Sequence, residues 1–404
     1  MQKFDRFIIF PWGNTWKTGE EAVARLKSIK ECGFNASCFV TEDMFDVCRE
    51  LGLLIYCQPE RDLGDGNTNY RRFINDPNAT KEDVLEIVKK ALSGLPRDVY
   101  SIYIEDEPGA GVFPQLKLYS DCVHEVMPWA EAYFNLFPNY AVCGAPNLSQ
   151  LETDTYEEYL ERFAKEVNPD QISFDNYQVL MSTNFNIGGG RESHFNNLLQ
   201  ARAVCDKYDI PFQFVGCCDQ LRTFQTIPTL GNLALQGYTA LAAGARVISW
   251  FLFVAKECYL YAPIDDTTGK DVLTPSWYLL REVNRRILPS GQELFDMEYK
   301  GMYFSNTEGL INARPISECP AIKNFASTVD CMIGHYVDKN GKDVIVVANC
   351  NPEKSVKIDV DMGGELELYS TETLSWIKPM LVNKGGKESP MWLEPGCGVL
   401  LRTK

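Results

Sequence analysis

Histidine is nearly absent from this chain: three in 404 residues, His124, His194 and His335. A metal centre built on imidazole has almost nothing to draw on. The fourteen cysteines contain no CxxC or CxxxC spacing, so they offer no metal or redox motif either. Basic charge is also short, with 39 Lys+Arg against 55 Asp+Glu and a formal net charge of -16. Such a surface repels phosphate backbones and anionic membranes, which argues against nucleic-acid and membrane partners. No apolar run approaches the ~20 residues that span a bilayer. No GxGxxG or Walker glycine loop follows the first apolar run, and no GxSxG elbow appears. No cofactor and no metal are therefore expected.

What is present is an ordinary globular balance, 45% hydrophobic and 23% charged. Several cysteines, among them Cys38, Cys57, Cys143, Cys205, Cys331 and Cys350, mostly lie in or beside apolar runs and read as buried thiols of a reducing compartment. No signal-like apolar stretch follows Met1, so a cytoplasmic location is expected, or a secreted or periplasmic one if a leader has been removed.

Short apolar runs alternate with amphipathic helical segments as far as residue 290. The runs centre on residues 7–14, 34–40, 53–59, 100–104, 132–138, 172–177, 211–216 and 246–253. Thr18/Glu21 and Thr155/Glu158 have capping-box spacing, and Gly33 and Gly52 close helices. Gly188-Gly189-Gly190 reads as a loop. Eight strand-helix units in ~290 residues predict an α/β fold, a (β/α)8 TIM barrel spanning 1–290. After Leu288-Pro289-Ser290-Gly291 the helical period stops. Strand-like runs follow, with Asp338-Lys339-Asn340-Gly341 as a hairpin connector, and predict an antiparallel β-sandwich over 291–404.

Barrel chemistry gathers at the C-terminal ends of the strands. Strict alternation along the fourth run turns Tyr103, Glu105 and Glu107 inward, with Asp106 between them. In the sixth run it turns Ser173, Asp175 and Tyr177 inward. Two carboxyl groups at one mouth suit glycosidic cleavage, where one must be protonated and the other ionised. Glu107 and Asp175 are the expected catalytic pair, and Glu105, Asp106 and Asp219 are possible supporting acids. Trp12, Trp16, Tyr177 and Trp250 are candidates to stack on sugar faces. Asn14, Gln58, Asn135, Asn139 and Gln213 are candidates to read hydroxyls. Cys217 and Cys218 end the seventh run with no histidine assigned to them, and read as buried thiols.

These segments resemble a known family. Tyr103-Ile104-Glu105-Asp106-Glu107-Pro108 resembles the strand-four "DEP" ending of glycoside hydrolases with a (β/α)8 barrel. Asn135-Leu136-Phe137-Pro138-Asn139-Tyr140 and Ser173-Phe174-Asp175-Asn176-Tyr177 look like their fifth and sixth strands. Leu241 to Arg246, running into Trp250-Phe251, is similar to the seventh helix and eighth strand of barrel glycosidases related to β-galactosidases. The resemblance implies a glycoside hydrolase acting on an oligo- or polysaccharide. It sets Asp106-Glu107 in the place of that clan's Asn-Glu pair, which makes Glu107 the general acid/base. The chain departs from the clan at strand seven, where Phe214-Val215-Gly216-Cys217-Cys218-Asp219 supplies no Glu. Asp175 or Asp219 substitutes, or the enzyme inverts, or the barrel is degenerate and only binds carbohydrate.

Overall fold

The computed structural model describes residues 5–13, 17–64, 66–182, 184–186, 189–220, 226–255, 261–379 and 391–404. The chain divides into two compact units, one of residues 1–176, 200–215 and 249–253, the other of 177–199, 216–248 and 254–404.

The first unit is built on parallel strands. Strands β1 (Ile8–Pro11), β2 (Ala36–Val40), β3 (Leu54–Cys57), β4 (Val99–Asp106), β5 (Glu131–Asn135), β6 (Ile172–Asp175), β7 (Phe212–Cys217) and β8 (Val247–Phe251) form two four-stranded sheets, ordered β2-β3-β4-β5 and β1-β8-β7-β6. Two links join them. Asn35 ties the start of β2 to β1, its Nδ2 donating to Phe7 O (2.8 Å) and its Oδ1 accepting from Ile9 N (2.7 Å). Leu136 N, just past β5, donates to Ser173 O on β6 (2.8 Å).

Helices α1 (Gly19–Glu31), α2 (Phe45–Leu51), α3 (Lys81–Leu92), α4 (Phe113–Val126) and α5 (Tyr156–Glu166) alternate with the first six strands. Their ends follow local chemistry. Thr80 and Asp83 make a full capping box on α3, and Thr155 Oγ1 accepts from Glu158 N on α5. Gly52 closes α2 in the left-handed conformation that glycine adopts without penalty. At Thr18 the helix starts as expected, but no side-chain cap bond forms. Inside the sheets the space is filled by rings: Phe10 lies 4.4 Å from Tyr56, Trp12 5.9 Å from Tyr133, and Phe39 4.9 Å from Tyr103.

The second unit contains α6 (Gln178–Met181), the start of α7 (Gly189–Tyr208), α8 (Leu230–Ala242), the short strands β9 (Val254–Ala255), β10 (Ile264–Asp265) and β11 (Val272–Leu273), and α9 (Pro275–Leu294). Gly189 and Gly190 open α7 instead of forming a loop, and Gly188 lies outside the described residues. Helix α9 runs through Leu288-Pro289-Ser290-Gly291 without a break.

The rest of the unit is antiparallel. Strands β12 (Glu298–Phe304), β13 (Asn324–Ser327), β14 (Cys331–Val337), β15 (Asp343–Asn349), β16 (Val356–Asp361), β17 (Leu366–Ser370), β18 (Ser375–Ile377), β19 (Met391–Leu393) and β20 (Gly398–Thr403) form a six-stranded sheet, β12-β14-β15-β20-β17-β18, and a three-stranded one, β13-β16-β19. The two share a core that includes Ile333, Ile345, Val347, Val356, Ile358 and Leu401. Residues 338–342 make the expected hairpin, with Asp338 N donating to Lys342 O (2.9 Å).

Helix α8 is buried from Gly231 to Ala242 and packs against β15 and β14. The close approach depends on Gly334, where a Cβ would stand 2.6 Å from Ala242 Cα. Backbone cannot yield as a flexible side chain can. Gly334→Ala is therefore expected to destabilise the protein by about 1–3 kcal/mol in urea unfolding, and an unchanged midpoint would contradict this packing.

Candidate functional site

Strand β4 delivers three consecutive acids, and a β-bulge decides which way each points. The register against β5 runs Tyr103↔Tyr133 and then jumps to Glu105↔Phe134 and Asp106↔Asn135. The extra residue reverses the alternation. Asp106, not Glu105, therefore joins the inward row with Tyr103, which corrects the strict alternation expected for Glu105. Glu105 instead lies half-exposed, 3.5 Å from Arg71. The bulge is held from the loop after β3: Tyr70 OH donates to Tyr103 O, and Arg71 Nη1 donates to Ile104 O (3.0 Å). Neither Tyr70 nor Arg71 carries a motif that marks it in the sequence.

Glu107 follows with φ +48°, in the left-handed region that a non-glycine residue enters at a cost. Its backbone is clamped there. Glu107 N donates to Asn135 O (2.8 Å), and the buried Tyr159 OH donates to Pro108 O (2.7 Å). The turn sets the Glu107 carboxyl beside that of Asp175 at the end of β6, close enough for each to raise the cost of ionising the other. Asp175 is fully buried. Its Oδ1 accepts from Asn135 Nδ2 (3.0 Å), while Oδ2 has no donor. The other Asn135 amide hydrogen goes to Asp106 Oδ1 (3.0 Å).

Burial raises the carboxyl pKa of all three acids. For Glu107 the next cause is the Asp106 charge; for Asp175 it is the Glu107 charge. Asp106 keeps an exposed edge, and burial of the rest raises it to about 6, opposed by the bond from Asn135. The neighbouring carboxyls of Glu107 and Asp175 therefore resist ionising together, and burial holds Glu107 up to about 7. The donor-less Asp175 Oδ2 is the atom suited to carry a proton toward Glu107.

Outside this cluster lies an open cleft of about 690 Å³. Glu105, Asp106 and Glu107 line one side, and the β5–α5 loop with Asn147, Gln150 and Glu152 lines another. That loop is pinned by Glu152, whose two carboxylate oxygens accept from Gly111 N and Asn147 N, each at 2.7 Å. No sequence motif singled out Glu152.

The other expected residues divide by burial and place. Asn135 sits at the centre of the cluster, with its amide spent on the two aspartates and not exposed to a ligand. Gln213 and Trp250 are fully buried, which corrects their expected contact with substrate; Gln213 bonds inside the sheets to Tyr133 and Ser249. Trp12 is also buried, packed among Phe39, Tyr103 and Tyr133. Asn139 Nδ2 donates to Gln200 Oε1 (3.1 Å), and Gln58 is half-buried beside β2. Tyr177 and Asp219 belong to the second unit, Tyr177 at the start of α6 and Asp219 buried with Cys217 Sγ 3.1 Å from its Oδ1. Asn14 and Trp16 lie outside the described residues.

Among the described residues, no group of three or more His, Cys, Asp or Glu side chains is placed to hold a metal, and no helix is long and apolar enough to cross a membrane. Cys143 is exposed, and the other described cysteines are buried.

No protein-family model matches the chain, and no curated protein does. Solved structures do. The chain is similar to a glycoside hydrolase family 5 protein from Bacteroides vulgatus at 11% identity and TM-score 0.47, over 98% of this chain and 88% of that one. It is similar to the endo-beta-1,4-mannanase from Thermotoga petrophila at 11% identity and TM-score 0.42, over 88% and 97%. It is also similar to Saccharomyces cerevisiae Gas2p, solved with laminaritetraose and laminaripentaose, at 12% identity and TM-score 0.43, over 70% of this chain and 64% of the yeast chain.

The buried acid pair has a cost that stability measurements can read. A carboxyl raised by folding binds its proton more tightly in the native state than in the unfolded one. Stability therefore falls as pH rises from the ordinary carboxylate range toward the raised folded value. Asp175→Asn removes this cost and retains an acceptor for Asn135. It is expected to raise the thermal midpoint by about 2–4 °C at pH 7–8, with the gain vanishing near pH 4. A lower midpoint at pH 7–8 would show that the ionisable group is not under this strain.

Proposed function

We propose that this chain is a glycoside hydrolase that cleaves O-glycosidic bonds of a neutral oligo- or polysaccharide, with Glu107 as proton donor. The observation that carries the reading is the Glu107–Asp175 carboxyl pair beside an open cleft. A leaving sugar oxygen needs a proton at the moment its bond to the anomeric carbon breaks, and a carboxylic acid still protonated near neutral pH can give it. Asp175, buried beside Glu107, serves as the partner that keeps that proton in place. Asp106, with its exposed edge and lower pKa, supplies the ionised carboxylate that activates water or steadies positive charge on the ring. The carboxylates of Glu105, Asp106 and Glu152 disfavour an anionic sugar in the cleft.

On this reading the two parallel sheets close into an eight-stranded (β/α)8 barrel. Residues 1–290 carry the chemistry and 291–404 form a β-sandwich. The links at Asn35 and Leu136 support the closure.

Glu107→Gln tests the assignment on neutral oligosaccharides and aryl glycosides. Turnover of a confirmed oligosaccharide should fall about 10²–10⁴-fold with the circular dichroism spectrum unchanged. A dinitrophenyl glycoside, whose leaving group needs no proton, should lose far less. Equal losses on both substrates, or none on either, would remove Glu107 from the role of acid.

A further inference from the structure

A chain of buried hydrogen bonds runs through the first unit from Glu131, at the start of β5, to the acid cluster at the other end of the strands. Gln171 Nε2 donates to Glu131 Oε1 and to Gln213 Oε1 (2.8 Å). Gln213 Nε2 donates to Tyr133 OH (2.9 Å) and Ser249 Oγ (3.0 Å). Tyr133 OH lies 3.4 Å from Ser173 Oγ, the longest link, and Ser173 Oγ donates to Asn135 Oδ1 (2.9 Å). Asn135 Nδ2 then donates to Asp106 and Asp175. Glu131, Gln171, Gln213, Tyr133, Ser173, Ser249 and Asn135 are all at most 3% exposed.

Such a chain has a direction. With Glu131 ionised, its carboxylate accepts and cannot donate, which turns the Gln171 NH₂ toward it. That amide's second hydrogen meets Gln213 Oε1, which turns the Gln213 NH₂ toward Tyr133 and Ser249. Tyr133 then accepts and must donate onward to Ser173, and Ser173 must donate to Asn135 Oδ1. Only the Asn135 NH₂ is left to face the aspartates. The reversed chain is also self-consistent, but it requires a protonated Glu131 at one end. At the other it turns the Asn135 carbonyl toward Asp106 and Asp175, both protonated.

We propose that Glu131 is an ionised positioning residue of the acid site, whose carboxylate fixes the direction of this chain and so aims both Asn135 amide hydrogens at Asp106 and Asp175. Glu131 and the site carboxyls are thereby linked, because neutralising the first releases the chain to reverse and to favour protonated aspartates. This deepens the reading of Glu107 as proton donor, since the same amide sets the charge state of both its neighbours.

The other ionisable groups facing the site are Glu105 and Tyr103 from β4, Arg71 before it, Cys38 from β2, Tyr133 from β5 and Tyr159 from α5. Those facing Glu131 are Tyr56, Tyr100, Cys38 and Tyr133. None is altered in the variants below.

The test is an infrared titration of the full chain, following the protonated-carboxyl absorption that survives above the pH range of ordinary carboxylates. It requires no turnover, so it stands or falls apart from the hydrolase reading. Glu131→Gln, and independently Ser173→Ala, should move the loss of that absorption upward by about one pH unit. Ser173→Thr, which keeps the hydroxyl, should titrate like the parent. A Glu131→Gln protein that titrates like the parent or shifts downward would overturn the role of Glu131. A Ser173→Thr shift equal to that of Ser173→Ala would show that packing, not the hydrogen bond, is responsible.

Discussion

Two carboxyl groups in contact and shielded from water cannot both be ionised, because their repulsion adds to the cost of removing each charge from solvent. Glu107 and Asp175 are buried neighbours that raise each other's cost of ionising, and Asn135, Tyr70, Arg71 and Tyr159 hold the backbone and side chains that place them. The cost falls on stability, and on the proposed reading it yields an acid that can still give a proton near neutral pH. Asp106, one residue from Glu107, has the same amide donor as Asp175 but keeps an edge in water. Its pKa of about 6 leaves it mostly ionised at pH 7. Environment alone separates the ionisation of three acids that are chemically almost the same.

The backbone supplies the geometry. A bulge in β4 turns Asp106 inward, Tyr70 and Arg71 bond the carbonyls of Tyr103 and Ile104, and the left-handed Glu107 reaches Asp175 across the end of the strand. Tyr159 and the backbone carbonyl of Asn135 hold that turn from the other side. Each of these partners satisfies a backbone group that the irregular strand end leaves out of the ladder.

The alternation of apolar runs and helical periods marked the parallel strands and the helices between them, and the strand runs after residue 300 marked most of the antiparallel sheets. Asp175 was legible because β6 keeps a strict two-residue period. Glu105 and Asp106 were not, since nothing in Val99–Asp106, without a glycine or proline, announces a bulge. Gln213 and Trp250 were placed on the correct strands, but period two gives the face of a residue and not its depth along the strand. Glu131 and Gln171 escaped notice because a charged or amide residue before an apolar run looks like the end of a loop. Only the three-dimensional pairing reveals that Glu131 begins β5, that Gln171 directly precedes β6, and that both are buried. Helix α9 passes through Pro289 because neighbouring packing outweighs a local preference to stop.

One separation decides whether Glu107 and Asp175 share a proton. In a crystal of the unliganded protein at pH 7, the nearest oxygens of Glu107 and Asp175 should lie about 2.5–2.7 Å apart, the length of a hydrogen bond between an acid and a carboxylate. A separation of about 5 Å or more, with water or open space between two ionised groups, would contradict the shared proton.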